Sequence, residues 1–441
     1  MGTSPAKGKA LEAQVVRKLT RRIVPFIMLL YFVAYLDRVN VGFAALTMNA
    51  DIGLSQAAFG FGAGIFFLGY FLFEVPSNLL LHKYGARRWI AQIMLSWGLI
   101  SGAMAFVTNP TGFYVLRFLL GVAEAGFFPG IILYLSYWFP SRHRAGITAM
   151  FMAAVPLSVA LGSPISGALL SLDGVMGLHG WQWMFLVEAA PAVLLAGVVL
   201  TYLTDRPAMA HWLDDEERRW LEDQLMAEQS STAANHADIS VWRTLADYRV
   251  LLLALVYFGT SAGLYTLGIW APSIIAEYGV SPLQTGLINA IPPLFAVAAM
   301  IYWARHSDKA NERRSHVTLA CLLAAGGLFW ASQASSLIGV VFALILVNVG
   351  VSSAKPPLWS MPTQFLTGAS AAAGIAAINS IGNLGGFFGP TIIGWSKTFS
   401  GGYEGGLIAV GTLLVVSALL VLTLKHLAGD ATRASSDDQH S

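Results

Sequence analysis

Arg117-Phe-Leu-Leu-Gly-Val-Ala-Glu-Ala-Gly-Phe-Phe-Pro-Gly130 decides the fold. It lies inside an apolar run from about Phe113 to Trp138, long enough to cross a bilayer as a helix, which takes about 20 residues. Arg117 and Glu124 are seven residues apart, so a helix puts both on one face, two turns and about 10 Å from each other. Each such charge costs roughly 3 kcal/mol at mid-membrane on insertion scales. A chain carries that cost where the charge faces a partner, a cavity or a ligand. A second apolar run holds Tyr35-Leu-Asp-Arg-Val-Asn40. We expect these two stretches to form one site, with the other helices as a moving wall around it.

The rest of the chain fits that frame. Of 441 residues, 56% are hydrophobic and 11% charged, with a mean hydropathy of +0.63. A soluble domain is nearer 25% charged, so the chain reads as a polytopic, all-α membrane protein. A net charge of +2 leaves no footprint for nucleic acid. The single cysteine, Cys321, excludes an intramolecular disulfide and reads as core filler. The basic start leads into a segment too long for a cleavable signal, so none is expected.

Twelve apolar runs stand out: about 23–44, 57–81, 89–108, 112–138, 146–171, 183–204, 250–274, 284–304, 316–334, 337–360, 371–396 and 405–427. Of the 26 Lys and Arg residues, 22 fall in loops on one side, Lys397 falls on the other, and Arg38, Arg117 and Lys355 lie within runs. That bias places both termini and the central loop in the cytoplasm. The expected organisation is a cytoplasmic start (1–22), a six-helix half (23–204), a cytoplasmic linker (205–249), a second six-helix half (250–427) and a disordered tail (428–441). In the linker, His211 to Leu225 is amphipathic, with Leu213, Trp220, Leu221 and Leu225 on one side. It is expected to brace the bundle at the interface. The stretch Ser230–Asp238 is polar and reads as mobile. Short basic turns follow the second and eighth runs, which supports two related halves around a midplane site.

By this point the residues resemble a known family. Leu36-Asp-Arg-Val-Asn40, Gly69-Tyr70, Phe73-Glu-Val-Pro-Ser-Asn78, Arg117 to Gly130, Gly162-Ser-Pro-Ile-Ser-Gly167, Trp181 to Glu188 and Asn379 to Pro390 together resemble the major facilitator superfamily. Within it they are similar to the anion:cation symporter family, in the bacterial branch that takes up tartrate, phthalate, hydroxyphenylacetate and sugar acids. The resemblance implies Asp37 and Glu124 as proton-carrying carboxylates. It implies Arg38 and Arg117 as cations linked to substrate anion and gating, and Tyr70, Asn379 and Asn383 as substrate-facing. Two features depart from it. The turn after the second run reads His82-Lys-Tyr-Gly85 where the family has an acidic residue, while Asp308 keeps the counterpart. Lys355, before Pro356-Pro357, is not a general family feature.

The chemistry of the side chains supports these roles. Guanidinium groups stay charged when buried and suit a carboxylate with their planar fork. The alternative is that Arg38 and Arg117 only pair with Asp37 and Glu124 and hold helices together. For the two carboxyls the alternative to proton carriage is a permanent salt bridge. Lys355 is expected to meet the substrate from the opposite half, the alternative being a snorkel to the cytoplasmic face. Glu74 is expected to cap or pair with a loop cation, and Glu188 to be structural. Tyr257, Tyr265 and Trp270 are read first as packing; His143, His306 and His316 are expected in solvated loops. The glycines of the second and eleventh runs allow close helix contact. They do not form a phosphate loop, and no metal-ligand cluster, nucleophile elbow or Walker motif is legible.

The expectation is a proton-coupled symporter importing a small organic carboxylate across the inner membrane of a bacterium, with no cofactor and working as a monomer in the lipid bilayer. Its rivals are an exporter or exchanger of the same fold, and a transporter-like sensor.

Overall fold

The computed structural model describes residues 5–234, 246–366 and 368–424. Every one of the twelve apolar runs is helical. The first is α1 (Pro5–Val39) and α2 (Val41–Asp51), and the second is α3 (Gln56–Tyr84). Then come α4 (Ala86–Ala103), α5 (Pro110–Glu124) with α6 (Phe127–Ser136), α7 (Ser141–Met152) with α8 (Ala154–Leu170), and α9 (Gly180–Tyr202). After the linker helix α10 (Asp215–Ala234) follow α11 (Tyr248–Ala276), α12 (Pro282–Asn289) with α13 (Ile291–Ala310), and α14 (Arg314–Ala331). The last three runs are α15 (Leu337–Ser360), α16 (Gly368–Asn383) with α17 (Gly385–Ser400), and α18 (Glu404–Thr423). Among the described residues ten helical segments are long and apolar enough to cross a membrane; α14 and the broken pair α16–α17 complete the twelve. Leu72, Leu99, Leu194, Phe342, Trp395 and Leu419 are large, apolar and exposed. On a membrane protein that is the lipid-facing surface.

Local chemistry sets the helix starts. Ser55 accepts from the Ala58 N–H at 3.1 Å. Asn109 accepts from the Gly112 N–H at 2.8 Å, with Pro110 at the first helical position, and Ser281 and Gln284 form a capping box. What hydropathy did not foretell is that five runs break, three of them beside candidate site residues. The first run breaks at Asn40, the fourth between Glu124 and Phe127, the eleventh at Leu384. At the second break Gly126 is left-handed (φ 85°), and a Cβ there would lie 2.3 Å from Ser77 Oγ. Only glycine fits both demands.

Three apolar cores hold the bundle. One lies almost wholly in the first half, at the end carrying the termini (Ile23, Trp97, Trp138, Leu221). One lies in the second half at the same end (Val250, Val317, Leu358, Val421). The third, at the opposite end, is built by both halves together (Phe59, Trp181, Trp270, Leu344). There the halves touch backbone to backbone. A Cβ on Gly60 would fall 2.5 Å from the Pro390 carbonyl oxygen, on Gly167 2.4 Å from that of Pro282, and on Gly42 2.5 Å from that of Ile269.

The linker helix braces the first half. Leu213 and Leu221 are buried, Trp220 and Leu225 half-buried. Lys18 pairs with buried Glu217 at 2.5 Å, and Trp138 stacks on Trp212. Residues 230–234, expected as a polar linker, continue α10. Residues 235–238 and the tail after Leu427 lie outside the described residues.

Candidate functional site

The two charged stretches do meet, through one ion pair. Arg38, in the last turn of α1, pairs with Glu124, the last residue of α5. Both are buried, at 6% and 1% exposure. The other guanidinium nitrogen of Arg38 donates to Tyr265 Oη on α11 at 3.0 Å, so this arginine touches both halves. Tyr35, Phe66 and Tyr70 present their rings to it at 5.3–5.7 Å. A ring face attracts a cation and releases it without a counter-charge to break. The pair is therefore sheltered from water yet open to exchange of partner.

Asp37 and Arg117 do not join that pair. Asp37 turns back into the first half, where Trp97 Nε1 donates to it at 3.0 Å and Ser101 Oγ at 2.8 Å. Both donors are neutral residues of α4, and among the described residues Asp37 forms no ion pair with Arg38, so that part of the alternative reading does not hold. Arg117 donates to the Ala63 carbonyl at 3.0 Å and lies over Phe66. Glu124, which shares its helix face, is taken by Arg38. The reason is steric and local: α5 ends at Glu124, which frees that carboxyl to reach across to α1.

The second half supplies neutral groups and one cation. Asn379 and Asn383 lie on α16, just before the break, both buried. Glu74, one turn beyond Tyr70, accepts from Asn379 Nδ2 at 2.7 Å and from Ser380 Oγ at 2.8 Å. Among the described residues no loop cation pairs with Glu74, and its hydrogen-bond partners belong to the other half. Tyr257 packs against the backbone of α16, where a Cβ on Gly382 would meet its ring at 2.0 Å. Lys355 is half-buried five residues before the end of α15, within electrostatic reach of Arg38. Among the described residues no carboxylate pairs with it.

Other expectations divide. Trp270 donates to the Pro390 carbonyl at 3.0 Å and belongs to the seam between the halves. Glu188 accepts from Ser166 Oγ at 2.6 Å within the first half. The histidines are not free in loops: His143 meets Glu12 at 2.8 Å, and buried His316 bonds to His306 at 2.8 Å and to Glu312 at 2.7 Å. Asp308 pairs with Arg313 at 2.6 Å. The site residues that sequence reasoning underrated are Tyr265 and Glu74. Spacing offered one signal, since Glu74 follows Tyr70 by four residues and so shares its helix face.

Comparison with known proteins places this arrangement. Residues 27–390 match the model of the Major Facilitator Superfamily. A protein of Agrobacterium vitis named "Putative tartrate transporter" is 65% identical over 98% of this chain and 99% of its own. A "Quinolone resistance transporter" of Acinetobacter baumannii is 44% identical over 93% and 94%. The "Inner membrane transport protein RhmT" of Escherichia coli K12 is 38% identical over 98% and 99%. Among solved structures, an inward-facing, unoccupied bacterial homologue of the human lysosomal transporter Spinster superposes with a TM-score of 0.75. It covers 97% of this chain and 98% of its own at 14% identity, which speaks to the fold alone.

Proposed function

The chain belongs to the Major Facilitator Superfamily, and on that premise we propose that it is a proton-coupled importer of a small organic carboxylate, tartrate first among them, in the bacterial inner membrane. It is a transporter and not an enzyme. The observation that carries the anion reading is Arg38, a buried cation shared between Glu124 and Tyr265, with Lys355 near it from the other half. The relative named for tartrate, similar end to end, supports the substrate. The Escherichia coli relative named for the inner membrane supports the location.

The mechanism follows from partner exchange. With Glu124 ionised, Arg38 is held. A proton on Glu124 removes that attraction, worth about 4 kcal/mol at 4 Å in a partly screened site. Arg38 then turns its fork to the incoming carboxylate, and Lys355 meets the other end of a dianion. Arg117 keeps the surrounding potential positive. Asp37, held by neutral donors, is a second place for a proton. Neutralising the buried charges lets the halves rock about the glycine seam. The membrane potential adds about 2.3 kcal/mol per net charge per 100 mV.

The test is uptake of labelled tartrate into proteoliposomes under an imposed inward proton gradient. Concentrative uptake that vanishes when the gradient is collapsed is the expected result. Binding without accumulation would mean a sensor, and no binding would sink the carboxylate reading. The Acinetobacter baumannii relative named for quinolone resistance favours a second reading, outward transport. Accumulation driven only by a reversed gradient would establish it.

A further inference from the structure

Glu74 has no part in that mechanism. It is 4% exposed, it sits one turn from Tyr70, and no ion pair among the described residues involves it. Its two oxygens are taken by Asn379 Nδ2 at 2.7 Å and Ser380 Oγ at 2.8 Å, both from the second half. An ionised carboxylate only accepts hydrogen bonds. Asn379 therefore turns its amino group to Glu74 and its carbonyl Oδ1 away. Among the described residues no donor reaches that Oδ1, which leaves it open to a ligand. An asparagine left to itself offers either end to a ligand. Held by Glu74, it keeps one N–H spare, but its carbonyl is fixed in place as an acceptor.

We propose that Glu74 is a positioning residue that fixes Asn379 as a hydrogen-bond acceptor for the ligand, so that the site selects carboxylates bearing a neighbouring hydroxyl. The inference rests on the carboxylate reading above and narrows it. Arg38 and Lys355 hold carboxylate groups of any acid. Asn379 Oδ1 takes the O–H that tartrate and sugar acids carry and succinate or phthalate lack. An acid without it leaves a desolvated carbonyl unpaired, which is worth about tenfold to a hundredfold in affinity.

The experiment is competition against labelled tartrate binding in membranes holding the full-length protein, with tartrate and succinate as competitors. The wild type should prefer tartrate by at least about tenfold. Glu74→Gln keeps the shape but can accept from or donate to Asn379, so the amide turns either way and the preference should fall several-fold. Ser380→Ala, which leaves the Glu74–Asn379 bond, should keep it. Should Glu74→Gln not fold, Asn379→Leu removes the acceptor at similar size and reads the same ratio. An unchanged ratio in either variant, or equal weakening of both acids, would overturn the inference and leave Glu74 as a latch between halves. A wild type that binds both acids equally also overturns it, while the carboxylate reading survives. A wild type that binds neither acid ends both.

Discussion

The two halves bring different chemistry to one buried cluster. The first contributes Asp37, Arg38, Glu74, Arg117 and Glu124, all buried. The second contributes Tyr265, Asn379 and Asn383, with Lys355 as its one charged residue among those placed at the site. The first half is also the braced one, with α10 packed on α1 and Glu217 clamped by Lys18 and Gln14. The difference separates two tasks. On the proposed mechanism, proton carriage falls to carboxyls of the braced half, where a gained proton changes charge before it changes packing. Ligand binding on that mechanism draws on both halves, through Arg38 from the first and Lys355 and neutral Asn379 from the second. The tasks are joined at two places, Arg38 to Tyr265 and Glu74 to Asn379.

That division can be attacked in order of expected effect. Arg38→Ala removes the group common to both tasks, and tartrate uptake should fall by more than about a hundredfold, since it leaves Glu124 buried and unpaired. Uptake within a few-fold of wild type would end the assignment. Glu124→Gln should separate the tasks cleanly. Proton-driven accumulation should be lost while exchange of external for internal tartrate persists; concentrative uptake by this variant would show that protons are carried elsewhere. Lys355→Met should raise KM for tartrate roughly tenfold without altering the dependence on the gradient, because a point charge across the cavity contributes to binding only. A changed gradient dependence would put coupling in the second half as well. The smallest change is Tyr265→Phe. It deletes a single intramolecular hydrogen bond, with a net worth of about 1 kcal/mol, and should weaken tartrate binding no more than about tenfold.

Much of this was legible because lipid is a strict reader of sequence. Its thickness sets the length of each apolar run, and its low polarity makes Arg38, Arg117 and Lys355 conspicuous. What could not be read is how the charges choose partners. Asp37 is next to Arg38 in sequence, yet it bonds Trp97 and Ser101. Glu124 reaches Arg38 because α5 stops there, and a hydropathy scan does not register a stop inside an apolar run. Glu74 and Asn379 are about 300 residues apart, and nothing local announces their bond. His316 looked like a loop residue because its neighbours are charged, but the turn folds it against His306 and Glu312.

The seam between the halves has one more consequence. At Gly60, Gly167 and Gly42 the contact is bare backbone, with carbonyl oxygens where a Cβ would have to stand. Long side chains lose rotamers when a surface closes on them and regain them when it parts, whereas glycine has none to lose. At these three contacts, sealing and parting therefore exchange almost no side-chain disorder. Any entropy released by parting the halves here comes from the large side chains packed beside them, Phe59 and Trp270 among them.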